Sequence, residues 1–245
     1  MGSVFSSSLY FSPPDKSSYS AACLGSPPLM FIQGTPCLWY ESKSFHAPII
    51  MYLHCNFTDL GMQRNLCYQM AKATGCHVLA MEYPGFGIHP GKLTMDNCVR
   101  SAFLVYEWAC LRADRVYVMG RSIGTGVLGC LMPELNTLRM PTGIILHSAF
   151  LSIAECMAEY IGRTLATHWF WADMNTEYNL SYHPPNRLLI MHGAADRLFT
   201  VTHAHQLYNR IPCSDKTLVV HPTDSHTKIH WPASFAVIKD WIHKI

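Results

Sequence analysis

Short apolar runs alternate with amphipathic stretches along most of the chain. Pro48 to Leu53, Cys76 to Tyr83, Val116 to Met119, Gly143 to His147, Arg187 to His192 and Thr217 to His221 are each too short for a helix. They are also too continuously apolar for half-exposed strands, so they predict strands buried on both faces. Between them, Leu60 to Ala73, Leu93 to Ala113, Ile123 to Leu135, Val201 to Arg210 and Trp231 to Ile245 carry helical periodicity, with Ala102, Val105, Tyr106 and Ala109 forming one stripe. Leu29 to Gln33 and Cys37 to Glu41 predict an edge hairpin turning at Gly34-Thr35-Pro36. Strand–helix alternation of this kind predicts an α/β fold: a mostly parallel central sheet flanked by helices.

Two stretches interrupt the rhythm. Residues 1–28 are rich in Ser, Pro and Gly and predict an extended arm ahead of a single domain over residues 29–245. Residues 150–185 form an insertion after the sixth strand, helical around Ile153 to Thr164 and then aromatic. A short helical lid over the carboxyl end of the sheet fits that position. Phe150, Trp169, Phe170 and Trp171 would line it and suit an apolar acyl chain.

Composition narrows the function classes. The chain has 245 residues, 49% hydrophobic and 14% charged, with a net charge of +2. No run of Lys and Arg exceeds two, so the footprint expected of a nucleic-acid binder is absent. Ten cysteines are scattered without C-x-x-C pairs, which reads as reduced thiols in a cytoplasmic protein. No continuous apolar stretch approaches the roughly 20 residues that a spanning helix needs. Met1-Gly2-Ser3-Val4-Phe5-Ser6 does satisfy the N-myristoylation pattern, with Gly2 as the acceptor. That predicts a peripheral protein on the cytosolic face of a membrane. One myristoyl chain binds only marginally, so a second signal is expected from Phe5, Leu9, Tyr10 and Phe11 or from acylation of Cys23.

The chemistry centres on Gly120-Arg121-Ser122-Ile123-Gly124, where an apolar strand meets a helix-like segment. This G-x-S-x-G spacing is that of a nucleophile elbow, in which a Ser on a sharp turn needs neighbours without side chains two positions either side. A hydroxyl is a weak nucleophile near neutral pH, so it needs a base and a carboxylate to orient that base. Asp196 follows one strand and His226 follows the next, in the order Ser, Asp, His. Asp173, Asp215 and Asp224 compete with Asp196, and His221 and His230 with His226, from less suitable positions. The oxyanion hole would combine the Ile123 N–H with one from His54-Cys55-Asn56, with Asn56 first and Cys55 next. Gly85-Phe86-Gly87 to Gly91 fails as a dinucleotide loop because Pro90 interrupts the helix start. His226 and His230 have zinc-like spacing without the Glu of a zinc protease. Neither a metal nor a cofactor is expected.

With these residues assembled, the chain resembles α/β-hydrolases, and most closely the membrane-anchored α/β-hydrolase-domain-containing family seventeen. Phe11-Ser12-Pro13-Pro14 through Ser18-Tyr19-Ser20 is similar to that family's F-x-P-P and S/T-Y-S lead-in. His54-Cys55-Asn56 with Asp59-Leu60-Gly61 is similar to its H-G-N and D-L-G, and Tyr83 to Gly87 to its Y-x-G-x-G. Gly120 to Thr125, Ile145 to Ser148 and His192 to Asp196 match further motifs. The resemblance implies removal of palmitate from proteins, with an acylated protein as substrate. Cys55 in place of Gly, Thr223-Asp224-Ser225 before the His, and the missing N-terminal cysteine cluster depart from that family. A lipid or small-ester hydrolase, or an inactive membrane-tethered binding protein on the same fold, are the other readings.

Overall fold

The computed structural model describes residues 10–21, 29–137, 139–162, 164–166 and 174–244. Eight strands form one sheet in the order β1-β2-β4-β3-β5-β6-β7-β8. They are β1 (Leu29–Ile32), β2 (Thr35–Tyr40), β3 (Ile49–Leu53), β4 (His77–Met81), β5 (Val116–Arg121), β6 (Gly143–His147), β7 (Arg187–Gly193) and β8 (Asp215–His221). β1 and β2 pair antiparallel, as do β2 and β4, and every pairing from β4 to β8 is parallel. Both faces are covered, which is why β3, β4 and β6 are buried at every position.

One face is packed by α2 (Met95–Cys110), α3 (Ile123–Leu131) and α6 (Val201–Arg210) against Met51, Leu53, Val118, Ile144, Leu146 and Ile190. The other carries α1 (Leu60–Thr74) and α7 (Trp231–His243) on Ile50, Tyr52, Tyr117, Ile145 and Leu189. Successive strand residues thus feed opposite cores, as the pleat requires. α1 starts at an Asp59 N-cap, whose carboxylate accepts the Met62 N–H, and stops at Gly75 with φ 72°.

The structure shifts some expected boundaries. The β1–β2 hairpin turns at Gln33-Gly34, with φ 48° and 84°, rather than at Gly34-Thr35-Pro36. Two consecutive positive φ values match the twist of paired strands, so the tighter turn wins. α3 gives way to a 3-10 segment, Met132–Thr137, because Pro133 has no N–H to continue the ladder. β8 begins at Asp215, where it pairs with Arg187 at the sheet edge. In the insertion, α4 (Ile153–Ile161) is capped by Ser152 and ends at Gly162. A polar helix that periodicity did not reveal, α5 (Thr176–Tyr182), follows. Gly129 of α3 lets α5 approach, because a Cβ there would lie 3.0 Å from Thr176 Cα.

Candidate active site

The turn after β5 has the predicted strain. Ser122 is a non-glycine residue at φ 53° and ψ −120°, held between the last strand residue and the first turn of α3. Its N–H donates to the His147 carbonyl at 3.0 Å, and its own carbonyl accepts from the Thr125 N–H at 2.9 Å and Thr125 Oγ1 at 2.7 Å. The flanking glycines are obligatory on space alone. A Cβ at Gly120 would lie 2.5 Å from the Gly124 carbonyl oxygen, and one at Gly124 would lie 2.2 Å from the Leu53 carbonyl oxygen.

Ser122 Oγ lies 2.9 Å from His226 Nε2, and His226 Nδ1 lies 2.8 Å from Asp196 Oδ2. Three residues separated by up to 104 positions therefore form one hydrogen-bonded chain. The other Asp196 oxygen, Oδ1, accepts the N–H groups of Leu198 and Phe199, both at 2.9 Å. Burial by itself would raise the Asp196 carboxyl. The hydrogen bonds from His226 and the Phe199 N–H, with the His226 and His192 rings nearby, outweigh burial and hold it below its ordinary range. The carboxylate is thus kept charged beside an imidazole whose side chain is 15% exposed. Gly193 closes the assembly, because any Cβ there would lie 2.2 Å from the Asp224 carbonyl and push away the loop that carries His226. The competing Asp224 is buried and accepts the His230 N–H, which makes it a brace of that loop. Asp215 pairs with Arg187 at the sheet edge.

The second wall is the loop after β3. Ile123 opens α3, so its N–H belongs to the first-turn groups that have no acceptor within the helix. Gly124 brings this turn against the carbonyls of Leu53 and His54. Asn56 is part of the turn that follows, and its side chain is turned toward the N-terminal arm: Oδ1 accepts the Ser12 N–H at 2.9 Å and Nδ2 donates to the Tyr10 carbonyl. Cys55 does not carry a positive φ; the left-handed residue of this loop is Phe57, at 60°. The Cβ that Cys55 adds therefore brings no left-handed strain. Its Sγ accepts from Arg121 Nη1 at 3.0 Å and lies 3.6 Å from Thr58 Oγ1.

Several residues of this neighbourhood escaped the sequence reading. Arg121 also donates to the His226 carbonyl at 3.1 Å and faces the Trp231 ring, so it ties the elbow to both loops. His192 Nε2 donates to the Phe199 carbonyl at 2.7 Å, and the Phe199 ring meets His226 edge-on at 5.0 Å. Arg121 sits inside the elbow motif and His192 inside the H-G-x-x-D motif, but neither position signals by itself what it will touch. Phe150 is fully buried and packs on Phe199 at 5.1 Å, one ring behind His226. Trp169, Phe170 and Trp171, and the acylation position Gly2, lie outside the described residues. Phe11, expected to serve a membrane signal, is instead buried against Tyr83 and Phe86, where three aromatic rings pack together. Among the described residues no cluster of His, Cys, Asp and Glu could hold a metal ion, and no helix is long and apolar enough to cross a membrane. None of the nine described cysteines is joined in a disulfide.

No protein-family model matches the chain. Lysophosphatidylserine lipase ABHD12 of Bos taurus is 30% identical over 194 residues, covering 72% of this chain and 49% of that protein. Human protein ABHD12B is 29% identical over 198 residues, covering 72% and 53%. The chain thus spans about half the length of the curated relatives it matches. Among solved structures, Est1E of Butyrivibrio proteoclasticus with ferulic acid bound superposes with a TM-score of 0.70 at 15% identity, covering 88% of this chain and 98% of that one. A Pyrococcus furiosus esterase gives 0.70 at 15% identity, covering 96% and 97%. The mostly parallel eight-stranded sheet flanked by helices matches the architecture of these structures. The chain thus has the α/β-hydrolase fold, and over 72% of its length it is similar in sequence to ABHD12 lipases.

Proposed function

We propose that the protein is a serine hydrolase that cleaves acyl esters or thioesters through an acyl-enzyme. The observation that carries this reading is the continuous hydrogen-bonded chain from Ser122 Oγ through His226 to Asp196, at 2.9 and 2.8 Å. His226 Nε2 takes the hydroxyl proton as Ser122 Oγ attacks the acyl carbonyl, and Asp196 holds the imidazole in orientation and stabilises its protonated form. The tetrahedral oxyanion accepts the Ile123 N–H and an N–H of the loop after β3, that of Asn56 first and Cys55 next. The proton on His226 then goes to the departing alkoxide or thiolate. Water, deprotonated by the same imidazole, attacks the acyl-enzyme and releases the fatty acid. No cofactor takes part.

For the substrate, a single long acyl chain on a polar carrier is favoured. The order and content of the family-seventeen motifs support a protein S-acyl thioesterase, with palmitate on a membrane-associated protein. The lysophosphatidylserine lipase relatives support a lysophospholipid as the second reading. Myristoylation of Gly2 would keep the enzyme at a cytosolic membrane face where either substrate resides. Purified protein assayed with an S-palmitoyl peptide and with lysophosphatidylserine in matched detergent separates the two, and the higher kcat/KM names the class. Turnover of neither, by a protein that also leaves short p-nitrophenyl esters intact, would overturn the hydrolase reading.

A further inference from the structure

We propose that the strap formed by residues 10–20 is a positioning element of the active site: through Asn56, Glu82 and Asp59 it sets the loop that supplies the oxyanion donor. This rests on the hydrolase reading above. The strap lies ahead of the first strand, yet both its ends bond to the segment that follows β3. At one end the Asn56 side chain is held at both atoms, by the Ser12 N–H and the Tyr10 carbonyl, while the Phe57 N–H donates to the Ser12 carbonyl at 2.9 Å. Phe57 is at φ 60°, a conformation that costs energy for a bulky residue and persists only where its surroundings fix it. The strap supplies that fixation directly after Asn56.

At the other end, Tyr19 donates its hydroxyl to Glu82 Oε2 at 2.8 Å, and Ser18 donates through its N–H and hydroxyl to the Asp59 carboxylate that caps α1. Glu82 is fully buried at the end of β4. It also accepts the Leu60 N–H at 3.0 Å and contacts His54 Nε2 at 2.8 Å, while His54 Nδ1 lies 2.9 Å from the Cys55 carbonyl. One carboxylate thereby joins the strap, the start of α1 and the backbone of the oxyanion loop. Two glycines on different elements leave room for it. A Cβ at Gly87 would lie 2.4 Å from Glu82 Oε2 and 2.6 Å from the Tyr19 ring, and one at Gly61 would overlap the Ser18 hydroxyl. Oxyanion donors act by being aimed in advance, so the contacts that aim their loop affect the transition state more than substrate binding. Tyr19 and Glu82 are positioning residues in this arrangement.

The test uses the full chain with Ser12→Pro, which removes the N–H that Asn56 accepts, combined with Tyr19→Phe. Turnover of p-nitrophenyl butyrate is divided by the number of sites that a fluorophosphonate titrates to completion. The expected result is a kcat per titrated site lower by about 10-fold, with KM within about twofold, a fraction of the loss seen when an oxyanion donor is removed outright. An unchanged kcat per titrated site, with only the titratable fraction reduced, would make the strap a purely structural support and overturn the proposal. If the double variant does not fold, Tyr19→Phe alone, which deletes a single oxygen, is read by the same criteria. Wild-type protein that neither turns over nor takes up the reagent overturns the hydrolase reading, and the strap proposal with it. Active wild type with an unaffected variant overturns the strap proposal alone.

Discussion

Gly124→Ala separates the geometry of the elbow from its sequence motif. The added Cβ would lie 2.2 Å from the Leu53 carbonyl oxygen and 2.9 Å from that of His54, and both are backbone atoms of a fully buried strand end. Neither can rotate away, so the first turn of α3 must retreat by about 1 Å to restore an ordinary contact. The retreat would carry the Ile123 N–H away from the loop after β3 and widen the proposed oxyanion hole. Overpacking of this kind costs about 1–3 kcal/mol of stability. A displacement of about 1 Å at the reacting centre costs on the order of 100-fold in rate. The expected variant is folded, melts a few degrees lower and hydrolyses p-nitrophenyl butyrate with kcat reduced about 100-fold or more. Gly126→Ala is the comparison, because the three nearest atoms its Cβ meets, at 2.7–2.9 Å, all belong to the Met174 side chain rather than to the backbone of the loop after β3. Its activity should fall by less than about 10-fold. Equal activity of Gly124→Ala and wild type, at matched stability, would refute the argument that this glycine sets the oxyanion geometry.

Three further outcomes are expected. Asp196→Asn keeps the size of the side chain but offers His226 Nδ1 an amide, so kcat should fall by about 10³–10⁴-fold while the fold persists, as read by ester hydrolysis and circular dichroism. His147 is buried, and burial, followed by the Arg121 charge and the other histidines nearby, holds its pKa well below 6.5. The unfolded chain takes up a proton there below about pH 6.5 that the folded chain refuses, so stability is full above that pH and falls by up to about 1.4 kcal/mol per pH unit below it. Urea unfolding at pH 7.5 and 5.5 measures this, and His147→Gln should flatten the profile. Gly2→Ala should move the protein from the membrane to the soluble fraction in cell fractionation; unchanged partitioning would count against the myristoyl anchor.

The parts legible in the sequence are those governed by local pattern. Ile49 to Leu53 and Gly143 to His147 are buried on both faces, and their unbroken apolar character announced it. Ser122, Asp196 and His226 could be placed because each follows a strand, and the ends of parallel strands lie side by side. What escaped depends on side chains meeting across long separations. Arg121 meets Cys55 and the His226 carbonyl, 66 and 105 residues away, and Tyr19 meets Glu82 across 63. Glu82 was the nearest to a signal: a carboxylate inside an apolar run needs buried partners, and that alone marks it as tied to something. Helix α5 was missed because its polar sequence, Thr176 to Tyr182, has only Thr176 and Leu180 buried and is held by its Asn175 cap and its packing on α3. The hairpin turn moved by one residue because positive φ at Gln33 is set by strand twist, which residue type alone does not reveal.

In the proposed hydrolase, Ser122 is the nucleophile of a triad completed by His226 and Asp196. Intact-protein and peptide mass spectrometry after reaction with a fluorophosphonate tests it most directly. One adduct per chain is expected, on the peptide containing Ser122, and none in Ser122→Ala. An adduct on another residue, or undiminished labelling of Ser122→Ala, would contradict it.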